Sequence, residues 1–484
     1  MSRGTKVGMA LAAVALLLGI LGDLLLQGQP LGLNVALWTT AFVVALTALI
    51  RIAQAPLHQG RRLMVAPLLI FAVMFVWHSS PLLVAANLLA LAAAVTMGAL
   101  RSARGPLRAT TLSDYGNGLV GAATSAAVGT GVLLMRDIRW TEVTRRGRSE
   151  RAAAVARGLA LGVPLLVLFG GLFVAADAVF GQLVSSTIPS VDDELVGRIV
   201  LVGILSWLTG GLLRDLLATR PDAKNASAAR ARLGGLEIGI ALAILDLLFL
   251  AFVVVQFRYL FGGSGLVESK VSLTYAEYAR HGFFQLVAVT GLTLGVLLAA
   301  DWALADRNRR VFRWLAAALL ALLGVVIASA LQRMRLYMQE YGLTELRIYA
   351  TGIILWLGVL SAWFAVTVLR GKRHAFAVGA LVAGFVATLA LNVLSPDALI
   401  ARTNVTRPAA DVEYLAQLSD DAVPTLVSRI RDLPSAQRAV LAQELLTRES
   451  STHDWRSWNL ARTRAEDALR VHRAELQALV QSSP

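Results

Sequence analysis

Two stretches of this 484-residue chain bring acids, arginines and tyrosines together. The first passes through Arg258-Tyr259 and Leu273-Thr274-Tyr275-Ala276-Glu277-Tyr278-Ala279-Arg280. The second runs from Arg333 to Tyr349, and in it Arg333, Tyr337 and Tyr341 recur at four-residue spacing on one helix face, with Arg347 following. If the stretches meet, Tyr259, Tyr275, Glu277, Arg280, Arg333, Tyr337 and Arg347 make a polar pocket that holds a ligand by charge-assisted hydrogen bonds. The plainer alternative for Thr274 and Glu277 is a capping box, in which hydroxyl and carboxylate satisfy helix-end amides. For the tyrosines and arginines it is an aromatic belt with snorkelling guanidinium groups.

A different chemistry attaches to Asp246, which lies in the middle of an apolar run. A carboxylate in a bilayer costs roughly 2.5 to 3.5 kcal/mol on insertion scales, so it serves either as a proton or cation relay or as structural glue paired with a Ser, Thr or Asn such as Asn87 or Asn392. A third cluster is Asp454-Trp455-Arg456-Ser457-Trp458-Asn459. Trp455 and Trp458, three residues apart, anchor a helix in its core or at the membrane interface, or with Asp454 and Arg456 form a ligand platform.

Catalytic signatures are missing. The six histidines are scattered without metal-ligand spacing, and there is no cysteine. This excludes disulfide scaffolds, zinc–thiolate and iron–sulfur sites and cysteine nucleophiles. No metal or cofactor is expected. The Gly262 to Gly265 run lacks the Lys-Ser/Thr of a phosphate loop and reads as a turn.

The elements that position these residues are apolar. The chain is 57% hydrophobic and 16% charged, and a bilayer core needs about 20 apolar residues per helix. Eleven stretches meet or approach that length: 7–26, 31–50, 63–77, 81–100, 158–179, 199–217, 236–257, 283–304, 314–331, 348–369 and 375–394. Their only charges are Asp23, Asp177, Arg214, Asp215, Glu237, Asp246 and Asp301. The expected fold is an all-α polytopic transmembrane bundle of about eleven spans with a small C-terminal helical domain. Its parts are a four-span segment (1–100), a basic segment (101–157), a seven-span core (158–394) and a helical tail (395–484).

Lys and Arg orient the spans, because basic loops resist translocation. With the N-terminus inside, the inner segments hold 27 of the 45 basic residues, the outer loops 7 and the tail 11. The expected topology is therefore N-terminus inside and tail outside, in a bacterial inner membrane. Residues 112–135 are flanked by arginines on both sides and read as an interfacial or re-entrant helix; if they span, every later loop reverses. The tail has 11 Arg and 12 acidic residues, so the +14 net charge belongs to the membrane part. It serves anionic headgroups rather than nucleic acid.

In the tail, four helices are expected: 411–418, 420–432, one capped by Ser435 and running to about Arg448, and a long one starting at Ser451 or Thr452 and reaching Leu479. Val423, Leu426, Val427 and Ile430, and Val440, Leu441 and Leu445, mark the faces to bury.

The strings Tyr259-Leu-Phe-Gly-Gly, Tyr275-Ala-Glu-Tyr-Ala-Arg-x-Gly-Phe-Phe, Arg333 to Tyr349, Ser395-Pro-Asp and Asp454-Trp-Arg-Ser-Trp-Asn resemble an uncharacterised family of bacterial polytopic membrane proteins, known as a domain of unknown function. The resemblance runs roughly from Gly158 to Arg470; the first four spans are only generically similar. It implies an inner-membrane protein and assigns no substrate or catalytic residue. Three functions stay open: an extracytoplasmic ligand-binding, sensing or envelope-associated protein; a secondary transporter coupled through Asp246; and an enzyme on lipid-linked substrates using Asp23 or Glu277.

Overall fold

The computed structural model describes residues 1–55, 59–99, 112–143, 193–217, 235–261, 283–304, 309–407, 410–448 and 454–481. Among them every regular element is helical. The long helices are α1 (Arg3–Leu26), α2 (Leu33–Ala53), α3 (Gln59–Trp77), α4 (Pro81–Ala99), α5 (Leu112–Val132), α6 (Asp193–Leu217), α7 (Gly235–Phe261), α8 (Phe283–Ala303), α9 (Arg309–Tyr341), α10 (Glu345–Thr367) and α11 (Arg373–Leu394).

Ten helices among the described residues are long and apolar enough to cross a membrane, by length and composition. Nine coincide with expected stretches, and the tenth, Tyr115–Asp137, is α5 with its π-helical extension Leu133–Asp137. The expected stretch 63–77 forms α3, which is apolar from Leu63 to Trp77. The stretch 158–179, with Asp177, lies outside the described residues.

Side-chain contacts define two opposite faces. At one, Ser2 donates its amide to Glu142 (2.5 Å), Arg3 reaches Gln54 (2.6 Å), and Arg214 pairs with Asp137 (2.6 Å). At the other end of α1, some 36 Å away at 1.5 Å per residue, Arg456 of the tail donates to the Leu24 carbonyl. The N-terminus and the tail domain therefore sit at opposite ends of α1.

α5 packs against α6 where the Ser125 and Ala126 carbonyls lie against Gly211 and Thr130 bonds the Trp207 carbonyl. Beyond that contact Asp137 pairs with Arg214, and the end of α5 lies at the face where α4 ends, with Gly98 against Leu216.

α1 to α6 enclose one core, around Leu46, Leu49, Met64 and Leu213, and α7 to α11 a second, around Leu297, Leu319, Leu323 and Phe364. α11 belongs to both: Phe385 packs against Phe71, and Asn87 of α4 and Asn392 of α11 exchange amide hydrogen bonds of 3.0 and 2.8 Å while wholly buried. Asn87→Leu alone should destabilise the protein by about 1–3 kcal/mol, because it strands the Asn392 amide. The double replacement by leucine should recover most of that loss in a thermal melt.

The tail is a helical cap of α12 (Pro396–Asn404), α13 (Val412–Gln417), α14 (Val423–Ser428), α15 (Ser435–Thr447) and α16 (Leu460–Gln481). Its core takes Ile400, Leu415, Val423, Leu426, Ile430, Leu441, Leu445 and Leu476, and Ile348 of α10 joins it. Three expectations are corrected here. Val440 faces outward at 52% exposure, because it lies about 100° round α15 from buried Leu441. Ser435 is inside α15 rather than its cap, which is Pro434. The last helix begins at Leu460, because residues 455–457 form a 3-10 turn.

Candidate functional site

The cap meets the helix ends through side chains that satisfy their orphan backbone groups. Asn459 serves two helices at once. Its amide donates to the carbonyls of Phe75 (2.7 Å) and His78 (2.9 Å), closing α3, while its oxygen accepts from Ala461 (2.9 Å) and Arg462 (3.2 Å), opening α16. Arg462 donates to the Leu31 carbonyl, and the Trp458 carbonyl accepts from Leu33 at the start of α2.

Beside Asn459 lies a buried polar cluster. His78 Nδ1 bonds Asp421 Oδ1 (2.7 Å), and Asp421 Oδ2 accepts the amides of Ser79 (2.9 Å) and Ser80 (3.1 Å) as α4 begins at Pro81. An acid from the cap thus supplies the N-terminal charge that the α4 dipole favours. Ser419 donates to Asp397 by both amide and hydroxyl. On α10, the Glu345 amide donates to the Tyr414 hydroxyl (2.9 Å).

Burial pushes the Asp421 carboxyl up, but the hydrogen bond and charge of His78 and the Ser79 and Ser80 amides more than reverse this, so it is held below the ordinary carboxylate range. A carboxylate depressed in the folded state stabilises that state above its unfolded pKa and loses the contribution as pH falls through the folded value. The Asp421 contribution to cap seating should therefore be constant above the carboxylate range and be lost only below it. Acid melts of wild type and Asp421→Asn should converge at the lowest pH.

The sequence-derived pocket is partly assembled. The Arg347 guanidinium lies 4.1 Å above the Tyr337 ring centroid, and Tyr341 packs on Tyr337 at 5.2 Å. Arg347 also donates to the carbonyls of Tyr341 (3.0 Å) and Gly342 (2.6 Å), where a positive φ of 75° at Gly342 turns the chain into α10. From the cap, Arg407 donates to Gln339 (2.9 Å) and Asn404 brackets the Leu343 backbone. Arg333 sits one helical turn before Tyr337 on α9, and Tyr259 is in the last turn of α7. Tyr275, Glu277 and Arg280 lie outside the described residues.

Trp455 opens a 3-10 turn and Trp458 follows it, so the two do not share an α-helix face; at 64% and 43% exposure neither is a core anchor. Asp454 and Arg456 pair at 2.6 Å, and Arg456 grips the end of α1. Asp246, in α7, is half-buried with neither carboxylate oxygen hydrogen-bonded among the described residues. The asparagines considered as its partners bond each other instead. No group of three or more acids or histidines arranged for a metal occurs among the described residues.

His78, Asp397, Ser419, Asp421 and Asn459 were not singled out from the sequence. The available signal was a histidine followed by Ser-Ser-Pro at the end of an apolar run, and Ser419-Asp420-Asp421 in a tail whose neighbouring acids look solvated.

Apolar helices in a multi-pass bundle, closed at one face by a helical cap, define an integral membrane protein of the all-α class. Within that class the chain belongs to DUF4153, a domain of unknown function, which matches residues 65–428. The match includes α4 and most of α3, beyond the limit set by the resemblance at Gly158, and ends with α14, before the Asp454 to Asn459 run. No curated protein and no solved structure matches the chain.

Proposed function

We propose that this protein lies in a bacterial cytoplasmic membrane, N-terminus inside and cap outside, and binds or senses an envelope ligand or partner at the seam beneath the cap. The observation that carries the reading is that the cap holds helix ends from both cores: α1 to α4 through Arg456, Arg462, Asn459 and Asp421, and the α9–α10 turn through Asn404 and Arg407. An element so placed transmits a change at the Tyr337–Arg347 turn to the other half of the bundle. The excess of basic residues in the inner segments, 27 against 7, supports the orientation.

The test is small-molecule mass spectrometry on protein purified in mild detergent. Wild type should retain a near-stoichiometric polar species that falls about tenfold in Arg347→Ala, a loss of about 1.4 kcal/mol. Identical profiles would count against the site.

The Asp246 carboxylate, without a hydrogen-bond partner among the described residues, favours a second reading, a secondary transporter with Asp246 as coupling group. Proton-driven uptake abolished in Asp246→Asn would support it, and unchanged uptake would remove it.

A further inference from the structure

We propose that the turn through Trp455 and Trp458 seats the cap in the interfacial layer of the bilayer, where these two indoles and that of Trp77 bind phospholipid at headgroup level. Backbone contacts fix the depth of the turn. The Trp458 carbonyl accepts from Leu33 at 2.9 Å, Arg462 joins the Ser457 carbonyl (3.0 Å) to that of Leu31 (3.1 Å), and Arg456 reaches the Leu24 carbonyl at 2.6 Å. Those partners belong to the last turn of α1, the first residue of α2 and the connection between them. A Cβ on Gly32 would come within 2.7 Å of both the Ser457 and Trp458 carbonyls, so the turn lies directly on that connection. Asn459, next in sequence, holds the end of α3 through the carbonyls of Phe75 and His78, which brings Trp77 to the same level. The three tryptophans therefore mark the place where spans end, one from the bundle and two from the cap.

The second observation is the surface that leads up to them. α1 leaves Leu17, Ile20 and Leu24 exposed, and α3 leaves Ile70, Val73 and Trp77 exposed. Both sets recur at i, i+3 and i+7, so each is an apolar stripe along one helix face. In a membrane-spanning helix such a stripe faces acyl chains. That of α3 finishes on Trp77, and that of α1 on Leu24, the residue gripped by Arg456 between the two cap tryptophans. Trp77 stacks on buried His78 with ring centroids 5.3 Å apart and planes 9° from parallel, yet it is 41% exposed. Among the described residues none of the three indole N–H groups donates a hydrogen bond. An indole couples an apolar body to a single donor, which suits the boundary where acyl chains give way to ester and phosphate oxygens. The only charges of residues 454–459, Asp454 and Arg456, neutralise each other at 2.6 Å. The turn therefore fits the interface of a zwitterionic bilayer and requires no anionic headgroup.

The inference is separate from the Tyr337–Arg347 ligand, and it holds whichever side of the membrane the cap occupies. The full-length chain has no native cysteine, so Trp455→Cys and Trp458→Cys can each carry one environment-sensitive fluorophore. The labelled proteins are reconstituted into phosphatidylcholine vesicles. Quenching is then read with nitroxides on the headgroup, at the top of the acyl chain or near its end, and with iodide in the water. Emission at both positions should be blue-shifted from that of the free dye. Quenching should be several-fold stronger by the headgroup and upper-chain nitroxides than by the deep one, and iodide should quench less than it quenches the free dye. Two positions are read so that one variant failing to fold leaves the other decisive. Full quenching by iodide with none by any lipid would overturn the proposal, since the turn would then face water as a platform for a soluble ligand. Strongest quenching by the deep nitroxide would overturn it by placing the turn in the hydrocarbon. Protection from iodide and from every lipid would do so by showing that protein covers the patch.

Discussion

Replacing Asp421 with alanine should lift the cap from the helix ends. The substitution leaves His78, itself 3% exposed, facing a void and strips the first amides of α4 of their acceptor. Removing one partner of a buried, hydrogen-bonded pair costs about 3–5 kcal/mol when the other stays charged, and about 1–3 kcal/mol when it is left as an unsatisfied neutral donor. Taking about 3 kcal/mol, the population of open cap rises on the order of a hundredfold. A chain without native cysteine makes this measurable: Ser457 is fully buried under the clasp, so Ser457→Cys is protected while the cap is seated. Its maleimide labelling rate in purified protein should rise by about two decades when Asp421→Ala is added. An unchanged rate would mean that Asn459, Arg456 and Arg462 hold the cap without the His78–Asp421 pair.

The second large effect is expected at Gly211, deep in the bundle. A Cβ there would overlap the Ser125 carbonyl and lie 2.9 Å from that of Ala126, and both obstacles are backbone. No rotamer change can relieve them, so α5 and α6 must separate. Such overpacking costs about 1–3 kcal/mol even for a single methyl, and Gly211→Leu should cost more and prevent α5 from seating. Gly291 and Gly295 of α8 provide the contrast, since a Cβ on either meets nothing within 4 Å. Alanine there should be neutral or slightly stabilising, because glycine is the poorer helix former. Melting temperatures of the three alanine variants separate close packing from general sensitivity: Gly211→Ala should fall by several degrees and the other two should not.

Why the spans were legible and the seam was not follows from the physics of each. Apolar length is a local property, so α1, α2, α4 and α6 to α11 could be read from runs of residues. α5 was harder because its Gly, Ser, Thr and Ala content lowers its hydropathy, and these same small residues let its backbone touch α6 at Gly129 and Gly211. The His78–Asp421 pair joins residues 343 positions apart, and each in isolation resembles a solvated residue at a helix end. The Tyr337–Arg347 contact was visible because the turn that makes it is short. For Asn459 the family string marked the place but not the role; its neighbours Trp455 and Trp458 drew attention, while the smaller side chain closes two helices. Asp454 and Arg456 formed the pair that their spacing allowed, and Arg456 also reaches a backbone carbonyl 432 residues away.

All of the proposed function depends on the cap facing out of the cell, and labelling of single cysteines in intact cells tests that most directly. Glu444 is exposed on the cap, and Arg51 is exposed at the opposite face near the N-terminus. The account predicts that a membrane-impermeant maleimide modifies Glu444→Cys in whole cells and reaches Arg51→Cys only after permeabilisation. Labelling of Arg51→Cys in intact cells, with Glu444→Cys protected until lysis, would contradict it.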